Sequence, residues 1–168
     1  MSHPYDVLPL DAQSAAGLIF TPCPGTKGTS IAEALATLQQ AGAAAVISLN
    51  PISELQSLQV ADLGAEVHAH GLQWFHCPIE DDQAPLDDFA SAWQQAGPLV
   101  HQLLDAGKTV AIHCKGGSGR TGLMAAQILL ERGHNKDNVK SMVQALRPFA
   151  LTLEPHVRYF EEISNATN

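Results

Sequence analysis

Short apolar runs alternate with longer amphipathic stretches along this chain, and the alternation predicts an α/β fold. The apolar runs are short, rich in branched and aromatic residues, and several end at Pro, Asn or Gly, as strands commonly do. They predict strands over Tyr5–Leu10, Gly17–Phe20, Ala45–Leu49, Leu72–Pro78 and Thr109–Cys114.

Between these runs, apolar residues recur at helical spacing. The pattern predicts helices over Ser30–Ala41, Ile52–His70, Leu86–Ala106, Arg120–Arg132, Asp137–Leu146 and Pro155–Ile163. Ser30 and Glu33 have the spacing of a capping box, and Pro98 predicts a kink or break in its helix. Strands that alternate with helices favour a single domain with a central, mostly parallel sheet of about five strands flanked by helices.

The composition narrows the class of protein. The length of 168 residues is typical of one domain, so we expect a single domain over residues 1–168 with a core of about 17–163. The chain has 17 acidic and 9 basic residues and a net charge of −8. This balance argues against nucleic acid or a membrane surface as a partner. Three scattered cysteines and no signal-peptide pattern predict a reduced, cytoplasmic protein.

The glycine-rich segment His113–Gly122 carries the candidate chemistry. It follows an apolar strand that we expect at the centre of the sheet, and ligands of such sheets bind beyond the carboxyl ends of the strands. Its glycines let backbone N–H groups turn towards an anion, and the dipole of the following helix points at the same place. The predicted phosphate-binding residues are Lys115, Gly116, Gly117, Ser118, Gly119 and Arg120.

Cys114 and Arg120 indicate the reaction for which this anion site is suited. The guanidinium of Arg120 is a planar fork that matches two phosphate oxygens. A positive field around Cys114 favours the thiolate, which is the nucleophilic form of cysteine. A site that holds a phosphate and directs a sulfur at its centre is suited to phosphoryl transfer through a phosphocysteine.

Other classes of protein use similar loops. Gly117, Gly119 and Gly122 fit the dinucleotide fingerprint, but no second strand with an acidic residue follows at the required distance. A rhodanese-like sulfurtransferase also places a cysteine in an anion-binding loop, although Arg120 and Thr121 at this spacing argue against it. A module that binds phosphopeptides without hydrolysing them is the third alternative.

The segment from Cys114 to Arg120 reads C-x5-R and is followed by Thr121. It resembles the signature of the cysteine-dependent protein tyrosine phosphatases. From about Gly17 to Phe160 the chain is similar to the small dual-specificity phosphatases, and among them to the cyclin-dependent-kinase-associated phosphatase family. The resemblance implies their fold, no metal or other cofactor, and hydrolysis of phosphotyrosine and phosphoserine or phosphothreonine in protein or peptide substrates.

Loss of the leaving oxygen requires a proton donor. Glu80, Asp81 and Asp82 follow the strand that ends at Pro78, and the residues alone do not choose among them. The family pattern Pro-x-x-Asp assigns the role to Asp81, with Asp82 as the alternative. The resemblance also implies that Thr121 hydrogen-bonds the thiolate and that His113 orients the loop.

Two departures from the family pattern concern the hydrolytic water and the substrate. Many members place a glutamine near that water, whereas residues 149–156 contain none, which leaves Asp81 to act alone or with Thr152. Lys115 is similar to a lysine of lipid phosphatases, so a phosphoinositide or another small phosphomonoester is the alternative substrate. The second loop lysine of those enzymes is Ser118 in this chain.

The remaining histidines and cysteines suggest less chemistry. His68 and His70 are two residues apart and do not share a helix face, and His76 has no carboxylate placed to complete a metal site, so no metal is expected. Cys77 ends the strand before the acidic residues. It is a candidate partner for a reversible disulfide with an oxidised Cys114.

Overall fold

Residues 2–167, which the computed structural model describes, contain one five-stranded sheet. Its strands are β1 Asp6–Pro9, β2 Gly17–Thr21, β3 Ala43–Ser48, β4 Gln73–His76 and β5 Thr109–His113. They lie in the order β1-β2-β5-β3-β4, and all neighbours are parallel except the antiparallel pair of β1 and β2. The predicted α/β fold with a mostly parallel sheet is confirmed.

The helices follow the predicted pattern with one exception. They are α1 Ile31–Gln40, α2 Ile52–Ser57, α3 Leu63–Ala69, α4 Asp87–Asp105, α5 Gly119–Glu131, α6 Lys136–Leu146 and α7 Glu154–Thr167. The capping box at the start of α1 is confirmed, because the Ser30 side chain accepts from the backbone of Glu33 and the Glu33 side chain accepts from the backbone of Ser30.

The exception is the stretch Ile52–His70, predicted as one helix and found as α2 and α3. The chain reverses at Gln59, whose φ of 63° is left-handed. The N–H groups of Gln59 and Val60 then bond back to the carbonyls of Gln56 and Leu55, which is the Schellman pattern of a helix end. Val60 and Leu55 are both buried in the same apolar cluster. Burial of Val60 therefore outweighs the strain of a non-glycine residue at the reversal.

The break predicted at Pro98 is absent, because α4 runs through it without interruption. Pro98 lies on the exposed face of the helix, as does Gln94, whose carbonyl loses its helical partner to the proline ring. Water can satisfy that carbonyl. Buried residues before and after Pro98, such as Trp93 and Val100, keep both halves of α4 packed against the core.

The strands separate two apolar clusters, one on each face of the sheet. In β5, Val110 and Ile112 face the cluster that packs on α4 to α7, whereas Ala111 faces the cluster that packs on α1 to α3. This alternation is the two-residue period of a strand buried on both sides. It makes β5 the central strand, so its carboxyl end lies in the middle of one edge of the sheet.

In the part of the chain that the structure describes, every helix is too short or too polar to cross a membrane.

Candidate active site

The loop between β5 and α5 lies at the carboxyl edge of the sheet. Cys114 follows β5 directly and is 4% exposed, and α5 begins at Gly119. Hydrogen bonds from neighbouring backbone and side-chain groups hold the loop in place. The Cys23 amide donates to the Lys115 carbonyl at 3.0 Å, and Arg147 Nε donates to the Gly117 carbonyl at 2.8 Å.

Gly117 is the position where this loop needs a glycine. Its φ is +79°, and a Cβ added there would lie 2.5 Å from the carbonyl carbon of Thr21 and 2.6 Å from the nitrogen of Pro22. A side chain would meet rigid backbone and also strain the local conformation. The close approach to the end of β2 fixes the direction in which the loop turns.

Two donors point at the sulfur of Cys114. The backbone N–H of Gly117 lies 3.3 Å from Sγ, and the Thr121 hydroxyl lies 3.2 Å from it. Thr121 is fully buried. Both contacts favour a negatively charged sulfur, because each directs the positive end of a dipole at it. The predicted contact between Thr121 and Cys114 is present in the structure.

Arg120 is held in place by carboxylates. Its guanidinium is 2% exposed and donates to both oxygens of Glu54, at 3.1 and 2.9 Å, and to the Ile79 carbonyl at 3.0 Å. Asp81 Oδ1 lies 3.3 Å from Nη2. Burial alone would lower the pKa of Arg120, but the bonds to Glu54 and the charges of Cys114 and Asp81 outweigh it and raise the pKa.

Glu54 is a site residue that the sequence reasoning missed. It lies in the first turn of α2, which follows β3, and β3 is the parallel neighbour of β5. Parallel neighbours end at the same edge of a sheet, so an acidic residue just after β3 was the available signal. The buried Asn50 donates a further hydrogen bond to Glu54, and His76 Nε2 donates to the Asn50 carbonyl at 2.7 Å.

His113 lies behind the loop, fully buried. Its Nδ1 is 3.1 Å from the carbonyl of Cys114, which can only accept, so Nδ1 carries the proton. Its Nε2 then accepts from the hydroxyl of Ser48, and Ser48 accepts from Trp74 Nε1 at 2.8 Å. Burial is the main cause that lowers the pKa of His113 to about 4, so the ring is neutral near pH 7.

The acidic residues after β4 divide between two surfaces. We call residues 79–83 the acid loop. Asp81 and Asp82 line the same cavity as Cys114, whereas Glu80 lines a separate depression with Asp87 and Asp88. Asp82 has a left-handed φ of 62°, and the Gln83 amide bonds back to the Glu80 carbonyl. The structure thus brings two of the three candidate acids to the site.

The cavity has a volume of about 410 Å³. The predicted phosphate-binding residues that line it are Lys115, Gly116, Ser118, Gly119 and Arg120. Gly117 is not among the lining residues, and its amide donates to Sγ of Cys114. The lining residues that the sequence analysis did not single out as site residues are Thr26, Lys27, Leu58 and His156.

Thr152 does not line this cavity. Its hydroxyl donates to the Phe149 carbonyl on an exposed part of the chain. The segment that lacks the family's glutamine instead contributes His156, which is 1% exposed and contacts the acid loop.

The two other cysteines differ in their relation to Cys114. Burial raises the pKa of Cys77 to about 12, and no charged neighbour contributes. Burial also raises the pKa of Cys23 to about 12, and there the charge of Cys114 adds to the effect. The disulfide hypothesis for Cys77 stays a prediction, while the electrostatics couple Cys23 to the site. Within residues 2–167, His, Cys, Asp and Glu form no group of three or more that could hold a metal ion.

The fold and this arrangement of cysteine, glycine-rich loop and arginine define the class of protein, a cysteine-dependent phosphatase of the dual-specificity type. Residues 23–134 match the family described as "Tc-R-P: Polymorphic toxin system, DSP-PTPase phosphatase". The chain belongs to this family. No curated protein matches the chain by sequence.

Solved structures share the fold along nearly the whole chain. A kinase-associated phosphatase (KAP) with its catalytic cysteine replaced by serine is 20% identical, with a TM-score of 0.86 over 99% of this chain and 97% of that one. Human DUSP28 is 16% identical, with a TM-score of 0.67 over 98% and 97%. PTPMT1 in complex with PI(5)P is 14% identical, with a TM-score of 0.69 over 89% and 91%.

Proposed function

We propose that Cys114 is the nucleophile, Arg120 the phosphate clamp and Asp81 the general acid of this phosphatase. One observation carries the proposal: the sulfur of Cys114, the guanidinium of Arg120 and the carboxylate of Asp81 line one cavity. Gly117 and Thr121 direct their donors at the sulfur, and Glu54 fixes the guanidinium. The remaining loop amides are then available to the phosphate oxygens.

In the first step, the thiolate of Cys114 attacks phosphorus. The S–P bond forms while the P–O bond to the leaving group breaks, and Asp81 transfers its proton to the leaving oxygen. Arg120 and the loop amides stabilise the charge on the other phosphate oxygens. A bound phosphate competes with Asp81 for Nη2 of Arg120, so substrate binding frees the carboxyl for the leaving oxygen.

In the second step, water attacks the phosphorus of the phosphocysteine. The Asp81 carboxylate, left unprotonated by the first step, accepts a proton from that water. The P–S bond breaks, the sulfur of Cys114 leaves as a thiolate, and inorganic phosphate is released. The hydrogen bond from Thr121 stabilises the leaving thiolate.

The test compares p-nitrophenyl phosphate hydrolysis by the wild-type protein, Cys114→Ser and Cys77→Ser. Cys77 is a matched control, because it is also buried but does not line the cavity. We expect turnover to disappear in Cys114→Ser and to persist in Cys77→Ser. Equal activity of Cys114→Ser and the wild-type protein would refute the proposed nucleophile.

For the substrate, we propose a phosphorylated protein or peptide that carries phosphotyrosine and also phosphoserine or phosphothreonine. Leu58 and Thr26 also line the cavity, and an apolar and a small polar side chain suit residues that flank a phosphoamino acid. A panel of phosphopeptides tests this substrate class. Turnover of phosphotyrosine peptides alone would restrict the specificity.

A phosphoinositide is the second candidate substrate, favoured by Lys27 and Lys115. Both lysines line the cavity, and neither forms an ion pair within residues 2–167. They provide positive charge for a substrate with a second anionic group. Greater turnover of phosphoinositide vesicles than of phosphopeptides, lost in Lys27→Gln, would select this candidate.

The location that suits this mechanism is a reducing compartment, and we propose the cytoplasm. The nucleophile must stay a free thiol, and all three cysteines are free in the structure. Fractionation of cells that produce the protein, followed by thiol labelling, tests this proposal. Recovery of an oxidised protein outside the cytoplasm would contradict it.

A further inference from the structure

A buried histidine joins the wall of the cavity to the acid loop. His156 lies in the first turn of α7, and its Nε2 is 2.9 Å from the Gln83 carbonyl. A carbonyl oxygen only accepts, so Nε2 carries a proton and donates it. Burial is the main cause that lowers the pKa of His156, so a neutral ring makes this contact.

The acid loop is attached at both ends by side chains of the site. At its start, the Ile79 amide donates to the Leu49 carbonyl at 2.8 Å, and Arg120 donates to the Ile79 carbonyl. At its end, His156 bonds to Gln83. Among residues 2–167, no other hydrogen bond from outside the loop reaches positions 82 and 83.

The side chain of Asp81 makes few contacts that fix its position. The Asp81 side chain is 59% exposed, and its ion pair with Arg120 is the contact that a bound phosphate would replace. Once that contact is lost, the place of the carboxyl group depends on the backbone on either side of it. Arg120 secures the side before Asp81, and His156 secures the side after it.

We propose that His156 is a positioning residue that holds the acid loop over the cavity, so that the Asp81 carboxyl faces the leaving oxygen. The inference rests on the proposed function, because it assigns the proton to Asp81. Misplacement of a reacting group by about 1 Å can cost on the order of a hundredfold in rate. The hydrogen bond to Gln83 limits such misplacement.

The charges around His156 suit a neutral donor. His156 lines the same cavity as Asp81, Asp82 and Arg120 and is influenced by their charges, and its Cε1 would lie 3.6 Å from a Cβ added at Gly119. An imidazolium beside the two carboxylates would stabilise their ionised forms and oppose protonation of the acid. A neutral ring bonds to the loop without this effect.

The test measures how the rate depends on the leaving group. Nitrophenolate leaves with little help from a proton, whereas phenolate needs it. We expect His156→Ala to lower kcat for phenyl phosphate about tenfold more than kcat for p-nitrophenyl phosphate. His156→Gln keeps an N–H donor that can reach the Gln83 carbonyl, so it should restore most of the loss.

Two further variants make this result specific. Asp81→Asn is the reference, because it removes the acid and should show the same selective loss to a larger extent. Phe160→Leu is the matched control, since Phe160 is also buried on α7 but belongs to the core and does not line the cavity. It should reduce stability and change both rates by the same factor.

Two outcomes would overturn the role of His156 while the proposed function stands. One is an unchanged rate ratio in His156→Ala when Asp81→Asn shifts it. The other is a burst of nitrophenol from His156→Ala with the leaving-group dependence of the wild-type protein, which would place the histidine in hydrolysis of the phosphocysteine. An unchanged ratio in Asp81→Asn would instead refute the assigned acid, and the role of His156 with it.

Discussion

The loop after β5 and the acid loop face each other across one cavity, but they are built differently. In the first, Cys114, Gly117 and Arg120 are buried, and contacts of Gly117, Arg147 and His113 attach the loop to the core. The second is partly exposed and held mainly by the side chains of Arg120 and His156. The proposed phosphate-binding loop is therefore anchored in the folded core, whereas the position of the proposed acid, Asp81, depends on a few contacts that single substitutions can remove.

This difference predicts that changes in the acid loop separate activity from stability. Asp81→Asn should lower kcat by about 10²–10⁴-fold, because the leaving oxygen loses its proton donor. The basic limb of the pH–rate profile should disappear, and the thermal unfolding midpoint should stay near that of the wild-type protein, since the side chain is mostly exposed.

Asp82→Asn is the control for that assignment, because Asp82 lines the same cavity with its own carboxyl group. We expect it to keep both limbs of the pH–rate profile. A profile that loses its basic limb in Asp82→Asn and not in Asp81→Asn would transfer the role of acid to Asp82.

Changes in the phosphate loop should affect stability and activity together. Gly117→Ala places a Cβ 2.5 Å from the backbone of Thr21 at a left-handed φ, so we expect a loss of about 3 kcal/mol or more in the free energy of unfolding. Phosphatase activity should fall as well, because the Gly117 amide that contacts Sγ must move.

Gly116→Ala provides the matched comparison in the same loop. A Cβ at Gly116 meets nothing within 4 Å. Urea unfolding should show a change well below that of Gly117→Ala. Equal destabilisation by the two substitutions would contradict the view that the approach to β2 fixes the loop.

The contribution of the buried His113 to the free energy of unfolding should depend on pH. The pKa of His113 falls from 6.5 to about 4 on folding, so the unfolded chain binds more protons between these values. Its contribution, up to about 3 kcal/mol, is complete above pH 6.5 and is lost as the pH falls towards 4. His113→Asn keeps a donor for the Cys114 carbonyl and should flatten this part of the stability profile.

His68→Asn is the control for the pH experiment, because His68 is exposed on α3. Its free energy of unfolding should follow the wild-type pH dependence between pH 4 and 6.5. A profile for His113→Asn that also matches the wild-type profile would show that the buried imidazole does not drive the acid sensitivity.

The smallest effect is expected at Ser48, whose hydroxyl links Trp74 to His113. Ser48→Ala removes the hydroxyl between Trp74 and His113. It leaves the buried Nε2 of His113 and the Nε1 of the half-buried Trp74 without this partner, at a cost of about 1–3 kcal/mol. The rate of phosphate ester hydrolysis should change less than in Asp81→Asn. Chemical unfolding and steady-state kinetics of the same preparation test both statements.

The signature loop could be predicted from the sequence because its chemistry is local. Cys114, the glycines and Arg120 are within seven positions of one another, and a strand followed by a helix brings them together in one loop. The alternation of apolar runs and amphipathic stretches likewise determined the α/β class, since strand and helix periods are properties of neighbouring residues.

Only the tertiary structure decided which distant residues complete the site. Glu54 binds Arg120, His156 binds the acid loop, and Lys27 lines the same cavity. Glu54 and Lys27 follow β3 and β2, which end at the same edge of the sheet as β5. The sequence pattern also did not reveal the chain reversal at Gln59, because burial of Val60 in the cluster that packs on α1 to α3 stabilises it. Local pattern sets the elements and the proposed nucleophile, whereas the residues that hold Arg120 and the acid loop depend on long-range packing.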